Sequence, residues 1–500
     1  MNFKRLNKPA VFFIIIILSF AFSSWVSAQT AAESLRIVFM EPDTVHRADT
    51  LPAYRTVLDS ERLATYRKWC QNEAAQMAFD LFERTWKILE KSGSAGLQVP
   101  VYHIALVPEG NYAAVGFRLF GDSGIERHPN TPYIKLDPSD WSFNTTLLHE
   151  TGHVLLAMLN RGREIPKKEI ASISHTTAAL TDRGTAFDEG FAIHLETLAA
   201  HFGSDPIIRD RYDHKKFLFG APSIQGEYHR QAADLLSFSQ TRSRYHEVRE
   251  NNFAFAPAFH GPDYLRVQLE KTRDFSTLRD ANQLLQSEGF YASFFFGFLV
   301  RGDSVPGTGI VKDRQMKMLE SLLAMFTSRK TDAESPYLLY FVEAFMERYP
   351  AEAKQVLDVL TDLSHGVFID RDAAKIWREH YLGALRLDLA ERKNQSIEAA
   401  RERWRTQTLK DPNILYSLLG PQIRCQVPEL SVFLVAFRDS TALSFDLNTV
   451  EDGIIRMIPE ITDSQITAWL SERAEKAFAD PDDFKKRCHL DEKVLKHLKF

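Results

Sequence analysis

The chain has 500 residues, 44% of them hydrophobic and 25% charged. That length and balance describe a globular protein with room for two or more domains, each with its own core. A net charge of −5 argues against a strongly basic nucleic-acid binder.

Lys4, Arg5 and Lys8 precede an apolar run from Ala10 to Phe22, and Val26-Ser27-Ala28 follows. This is the arrangement of a secretory signal peptide, residues 1–28, cleaved before Gln29, so the protein is expected outside the cytoplasm, periplasmic or secreted. The rival reading is an uncleaved anchor, which would be the only contact with a membrane; the run is short against the ~20 apolar residues of a spanning helix. Export permits disulfides. Cys70, Cys425 and Cys488 are an odd set, so no disulfide framework is expected to carry the fold, although a Cys425 to Cys488 pair is conceivable.

Between residues 57 and 92, Leu63, Tyr66, Cys70, Met77, Leu81 and Ile88 recur at steps of three, four and seven, which predicts a packing helix. Short β-type runs follow in VPVYHIALV, NYAAVGFRLF and YIKLD, separated by Pro and Gly turns. A helix is predicted from about Asn144, an N-capping type of residue, to about Asn160. A second is predicted over TAFDEGFAIHLETLAAHF, from about 186 to 202. From about residue 310 the pattern reads as helical almost throughout, punctuated by Pro336, Pro350, Pro412 and Pro421. The chain shows no fixed-period repeat.

The first of the two helices carries TLLHETGHVLL, the pattern H-E-x-x-H. Histidines at i and i+4 share a helix face, so His149 and His153 can point at one ion. Glu150 projects to the flank, within reach of a water on that ion. Zinc brings the pKa of such a water down towards about 7, and a neighbouring carboxylate can take its proton as it attacks a polarised carbonyl. Gly152 suits a close approach by another backbone or by substrate, at a cost of about 1 kcal/mol relative to Ala in a helix interior.

A catalytic zinc takes three protein ligands. The continuation H-x-x-G-x-x-H fails, because Leu156 and Leu159 stand where it needs Gly and His. A glutamate about twenty residues downstream also fails, since Ser172 and Ile173 cannot serve. Glu189, at the start of the second helix, is the better candidate.

In these two segments the chain resembles the gluzincin metallopeptidases of the aminopeptidase N type, whose second helix reads approximately N-E-G-F-A-x-x-x-E. Asp188-Glu189-Gly190-Phe191-Ala192 and Glu196 match that pattern here. The resemblance implies that Glu189 is the third zinc ligand, and that Glu196 helps to orient the ligands. It also offers Tyr291, in YASFFFGFL, as the group that stabilises the oxyanion. The chain departs from the family in the longer spacing between His153 and Glu189, which implies an insertion at 160–185 that loops out. No counterpart of the family's G-x-M-E-N segment is found; SGIERHPN holds Glu126 but not the motif. Nothing therefore points to recognition of a free substrate N-terminus.

Residues 444–500 resemble a helix-hairpin-helix module of DNA-uptake competence proteins and minor pseudopilins. Asp446, Asn448, Thr449, Pro459, Ile461, Arg473, Phe478 and Phe484 carry the match. Glu460 stands where the DNA-binding hairpin has glycine, and a carboxylate there repels phosphate. The tail is read as a structural module or one that docks a protein partner, rather than one that binds nucleic acid; equally plain is a pair of amphipathic helices that closes the helical region without that kinship.

The expected fold class is α+β: a thermolysin-like, gluzincin catalytic domain over residues 29–305 with a small sheet and a helical lobe. A helical region over 306–440 and the hairpin-like module over 441–500 follow. The expected function is an exported peptidase with one Zn2+ ion, bound by His149, His153 and Glu189, with Glu150 and Tyr291 catalytic and a peptide or protein as substrate. The competing expectation is a non-catalytic envelope assembly or binding protein that keeps the domain as a scaffold.

Overall fold

The structure is a computed structural model that describes residues 35–45, 50–93, 100–108, 110–121, 124–144, 146–167, 177, 180–204, 248–255, 278–300, 308–369, 387–434, 439–450 and 452–500. The expected signal peptide lies outside the described residues. Among those residues no helix is long and apolar enough to cross a membrane. The chain divides into two compact units, residues 1–147 and 148–500.

In the first unit, β1 (Arg36–Pro42), β2 (Ala53–Thr56), β3 (Val101–Leu106), β4 (Tyr112–Gly121) and β5 (Gly124–Leu136) close on themselves in the order β1-β2-β4-β5-β3. Val38, Met40, Tyr54, Ala105, Phe117 and Tyr133 form the core that this closure buries. β4 and β5 pair antiparallel, and their register shifts between Val115 and Phe117. Gly116 makes that bulge feasible: its φ is +86°, and a Cβ there would stand 2.8 Å from the carbonyl oxygen of Pro129.

The single helix predicted over 57–92 is two, α1 (Ser60–Trp69) and α2 (Glu73–Lys91). Asn72 separates them by accepting the Ala75 N–H as an N-cap, at 2.8 Å. α2 buries Phe79, Phe82, Ile88 and Leu89, and Tyr102 of β3 meets Phe79 and Phe82 edge-on. A short helix, α3 (Asp140–Asn144), precedes α4 (Thr146–Leu159), which continues into the second unit.

The second unit is built around α5 (Arg183–Phe202) and α7 (Glu288–Val300), with the one-turn α6 (Ala281–Leu284) ahead of α7. α7 is apolar all round and buried from Glu288 to Leu299, as an interior helix must be. α8 (Thr308–Ser328), α9 (Tyr337–Arg348), α10 (Ala353–Leu363) and α11 (Leu387–Lys410) follow. Phe298 of α7 meets Phe341 and Phe345 of α9 edge-on, and Arg401 and Arg405 of α11 pair with Asp362 and Asp358 of α10.

The region expected to stay helical then departs from that expectation. β6 (Arg424–Leu434) and β7 (Asp439–Asp446) form an antiparallel hairpin. Alternation explains it: Ile423, Cys425 and Val427 are buried while Gln426 is exposed, the period of a strand and not of a helix. α12 (Asp452–Ile455), α13 (Asp463–Glu475), α14 (Pro481–Cys488) and α15 (Glu492–Leu495) close the chain. They share with the hairpin a core of Cys425, Phe445, Trp469, Phe478, Phe484 and Cys488. All three cysteines are buried and free.

Glu460 has φ 63°, left-handed backbone at the position where the hairpin motif carries glycine. Its carboxylate accepts from Lys496 Nζ at 2.8 Å. Asp446, Asn448 and Thr449 are buried and bond within the chain. Asn448 Nδ2 donates to the carbonyls of Pro421 and Phe478 at 2.9 and 3.0 Å, and the Thr449 carbonyl accepts from Gln283 Nε2 at 2.7 Å.

Candidate metal centre

α4 is enclosed by its own leucines: Leu148, Leu155, Leu156 and Leu159 are fully buried. α5 starts where Asp182 caps it, accepting from the N–H and hydroxyl of Thr185 at 2.9 and 2.8 Å. Two glycines set how closely the helices approach. A Cβ on Gly152 would lie 2.7 Å from Cα of Ala192, so α4 and α5 meet backbone to backbone. A Cβ on Gly190 would lie 2.4 Å from Cβ of Tyr291 and 2.5 Å from the Glu288 carbonyl oxygen, so α7 is pressed as tightly on the other flank of α5.

This packing puts His149 and His153 against the first turns of α5. The two Nε2 atoms are 3.3 Å apart. Oε2 of Glu189 lies 3.3 Å from that of His149 and 3.6 Å from that of His153. Zinc bonds of about 2.0–2.1 Å at tetrahedral angles put ligand atoms about 3.3–3.4 Å apart. The three atoms therefore form a triangle of the size a tetrahedral ion needs, with the fourth position left open.

The outer ring nitrogens are held as well. Nδ1 of His149 donates to Oε1 of Glu196 at 2.6 Å. Nδ1 of His153 lies 2.9 Å from Oδ1 of Asp188, an ion pair rather than a well-aligned hydrogen bond. A carboxylate on Nδ1 favours the tautomer whose Nε2 carries the free lone pair, the form that binds a metal. Lys167 completes the set: Nζ is 2.6 Å from Oδ2 of Asp188 and donates to Oε1 of Glu189 at 3.3 Å.

Charge follows from this packing. Burial alone would lower the pKa of His149, but its hydrogen bonds to Glu189 and Glu196 lift it to about 9. His153 is raised too, because the charges of Asp188 and Glu189 outweigh its burial. Asp188 is brought down to about 2, its burial overcome by His153 and Lys167, and Glu189 is likewise held low. Glu150 is nearly buried and acts on His149 as a neighbouring negative charge. With neutral histidines, Lys167 faces the carboxylates of Asp188 and Glu189, and Glu150 and Glu196 act on His149; a dication would offset this excess of negative charge. The donor set, two imidazoles and one carboxylate oxygen, suits zinc.

Tyr291, on α7, packs its Cβ against Gly190. Its ring meets Phe187 edge-on at 5.9 Å, and its hydroxyl is enclosed near Arg183 and the Leu338 backbone, with burial pushing its pKa up. Among the described residues it makes no hydrogen bond to the histidines or to their carboxylates. Two groups that sequence reasoning gave no role, Asp188 and Lys167, stand in the cluster. Asp188 was signalled only by its place beside Glu189, and Lys167 by nothing local. Searches against protein families, curated proteins and solved structures find no match to the chain.

His194, also on α5, lies outside the cluster. It is fully buried between Phe191 and Phe295, with ring centroids 4.6 and 5.4 Å away, and burial lowers its pKa from 6.5 to about 3. The unfolded chain takes up a proton near pH 6.5 that the folded one refuses. Stability is therefore complete above that pH and falls as pH drops towards 3. His194 alone should make the protein about 2 kcal/mol less stable at pH 5 than at pH 8. Urea unfolding of His194→Phe should show a correspondingly flatter pH profile; an unchanged profile would refute this assignment.

Proposed function

We propose that the chain is an exported, zinc-dependent peptidase of gluzincin type that hydrolyses peptide bonds in a peptide or protein substrate. The observation that carries this reading is the triangle of donor atoms, 3.3, 3.3 and 3.6 Å on its sides, presented by His149, His153 and Glu189. Those three residues would hold one ion. Bound zinc supplies a Lewis acid that polarises a carbonyl and makes water acidic enough to react near neutral pH. Glu150, beside His149 and nearly buried, takes the proton of the attacking water and passes it to the leaving amine. Glu196 and Asp188 hold the imidazoles by Nδ1, so that both Nε2 atoms stay aimed at one point. Tyr291, with its hydroxyl enclosed, has no part in this proposal.

Purified protein should contain one equivalent of zinc and hydrolyse casein. Chelation should abolish that hydrolysis and added Zn2+ restore it. Protein without stoichiometric zinc, or hydrolysis indifferent to the chelator, would leave the competing scaffold reading standing.

A further inference from the structure

The turn that follows α4 opens the insertion expected at 160–185, of which residues 160–167, 177 and 180–185 are described. Asn160 ties it down: Nδ2 donates to the carbonyls of Arg163 and Glu164 at 3.1 and 3.4 Å, while Nε of Arg163 donates back to the Asn160 carbonyl at 3.2 Å. Ile165 is buried next to it. The turn then crosses the first turn of α5 so closely that a Cβ on Gly184 would lie 2.0 Å from the carbonyl oxygen of Pro166. Gly184 and Asp188 are four residues apart and share a helix face. A backbone pinned over Gly184 therefore delivers the next side chain, Lys167, to Asp188 and its neighbour Glu189.

The division of oxygens is orderly. Oδ1 of Asp188 faces His153 while Oδ2 takes the ammonium. Oε2 of Glu189 faces both histidines while Oε1 takes the same ammonium. One lysine thus occupies the outer oxygen of both carboxylates.

We propose that Lys167 is a positioning residue that keeps Glu189 a one-oxygen ligand. An untethered carboxylate can turn and offer both oxygens to a cation, raising its coordination number and filling the position that water or substrate needs. Lys167 prevents this by holding Oε1 away, and it neutralises the negative charge that Asp188 adds beside His153. The inference rests on the zinc reading above and concerns the fourth position of that site rather than its existence.

The test compares the full-length protein with Lys167→Met and Lys167→Arg, each loaded with Zn2+ and, separately, with Co2+, whose visible absorption weakens when coordination rises above four. The Lys167 side chain is 32% exposed, and urea unfolding of each variant checks that its fold is retained before the spectra are compared. Lys167→Met should still take up one equivalent of metal. Its Co2+ bands should weaken several-fold, and casein hydrolysis should show kcat reduced by about 10- to 100-fold with KM within about threefold, as expected when an outer partner of a ligand is lost. Lys167→Arg, which keeps the charge, should hold the wild-type Co2+ spectrum. A wild-type spectrum in Lys167→Met, or the same weakened spectrum in both variants, overturns the assignment. Failure of the unaltered protein to bind metal would instead end the zinc reading, and this inference with it.

Discussion

Glu189→Ala is expected to lose stoichiometric zinc and all casein hydrolysis, whereas Glu150→Gln is expected to keep its zinc and lose about 10²- to 10⁴-fold in kcat. The two residues differ in what they face. Oε2 of Glu189 closes the triangle with the two Nε2 atoms, so removing it leaves two imidazoles, too few for a catalytic zinc site. Glu150 follows His149 by one residue and is turned about 100° around the helix, so its amide replacement leaves all three donors in place. Glutamine is close in shape but cannot accept the proton from water, so the deficit should fall on kcat with KM little changed. Zinc content by atomic absorption, with kcat and KM on the same samples, separates the two roles. Equal zinc in Glu189→Ala and the unaltered protein would refute the ligand assignment, and a fully active Glu150→Gln would refute the role as base.

The residues that build this site were unevenly legible. His149 and His153 were readable because helical period alone puts them on one face, whatever the rest of the chain does. Glu189 was readable only as a candidate, since its place depends on α5 lying against α4. The sign of that contact in the sequence is Gly152, whose missing Cβ admits Ala192. Lys167 could not be read at all. Its position follows from Pro166 lying over Gly184, a contact between segments with no local pattern in common. Tyr291 illustrates the opposite case, a residue placed by motif whose hydroxyl the packing of α7 turns towards Arg183 and Leu338. In the fold, the apolar face over 57–92 was legible but the break at Asn72 was not, because capping depends on a single side chain. The hairpin of β6 and β7 was missed because alternation over so few residues competes with a surrounding helical pattern.

Asp446→Ala is expected to destabilise the second unit by about 3–5 kcal/mol, the range for breaking a buried charged hydrogen-bond network by removing one member. Asp446 is fully buried. Oδ1 accepts from the N–H groups of Ile423 and Asn448, both at 3.0 Å, and Oδ2 accepts from Nε2 of Gln286 at 2.9 Å. Alanine leaves those donors buried without partners, each at a cost of about 1–3 kcal/mol, and removes a negative charge near the half-buried Arg473. Asp446→Asn should cost less, because its carbonyl oxygen can still accept from both backbone N–H groups.

The loss should also reach the proposed metal site, through a chain of contacts. Gln286 accepts from the Thr181 N–H through its carbonyl at 2.9 Å, and Leu180 bridges to Ser287. Asp182, next in line, caps α5. The carbonyl of Glu288 then lies against Gly190, the residue after Glu189. The C-terminal residues that resemble a hairpin module thus brace the start of the helix carrying Glu189. Urea unfolding followed by circular dichroism and by the buried Trp469, which donates to the Leu447 carbonyl at 3.0 Å, should show the lowered midpoint. Chelator competition on the same variant should show faster zinc loss. An unfolding free energy within about 1 kcal/mol of that of the unaltered protein would mean that Asp446 is no part of a brace, since the orphaned donors alone exceed that cost.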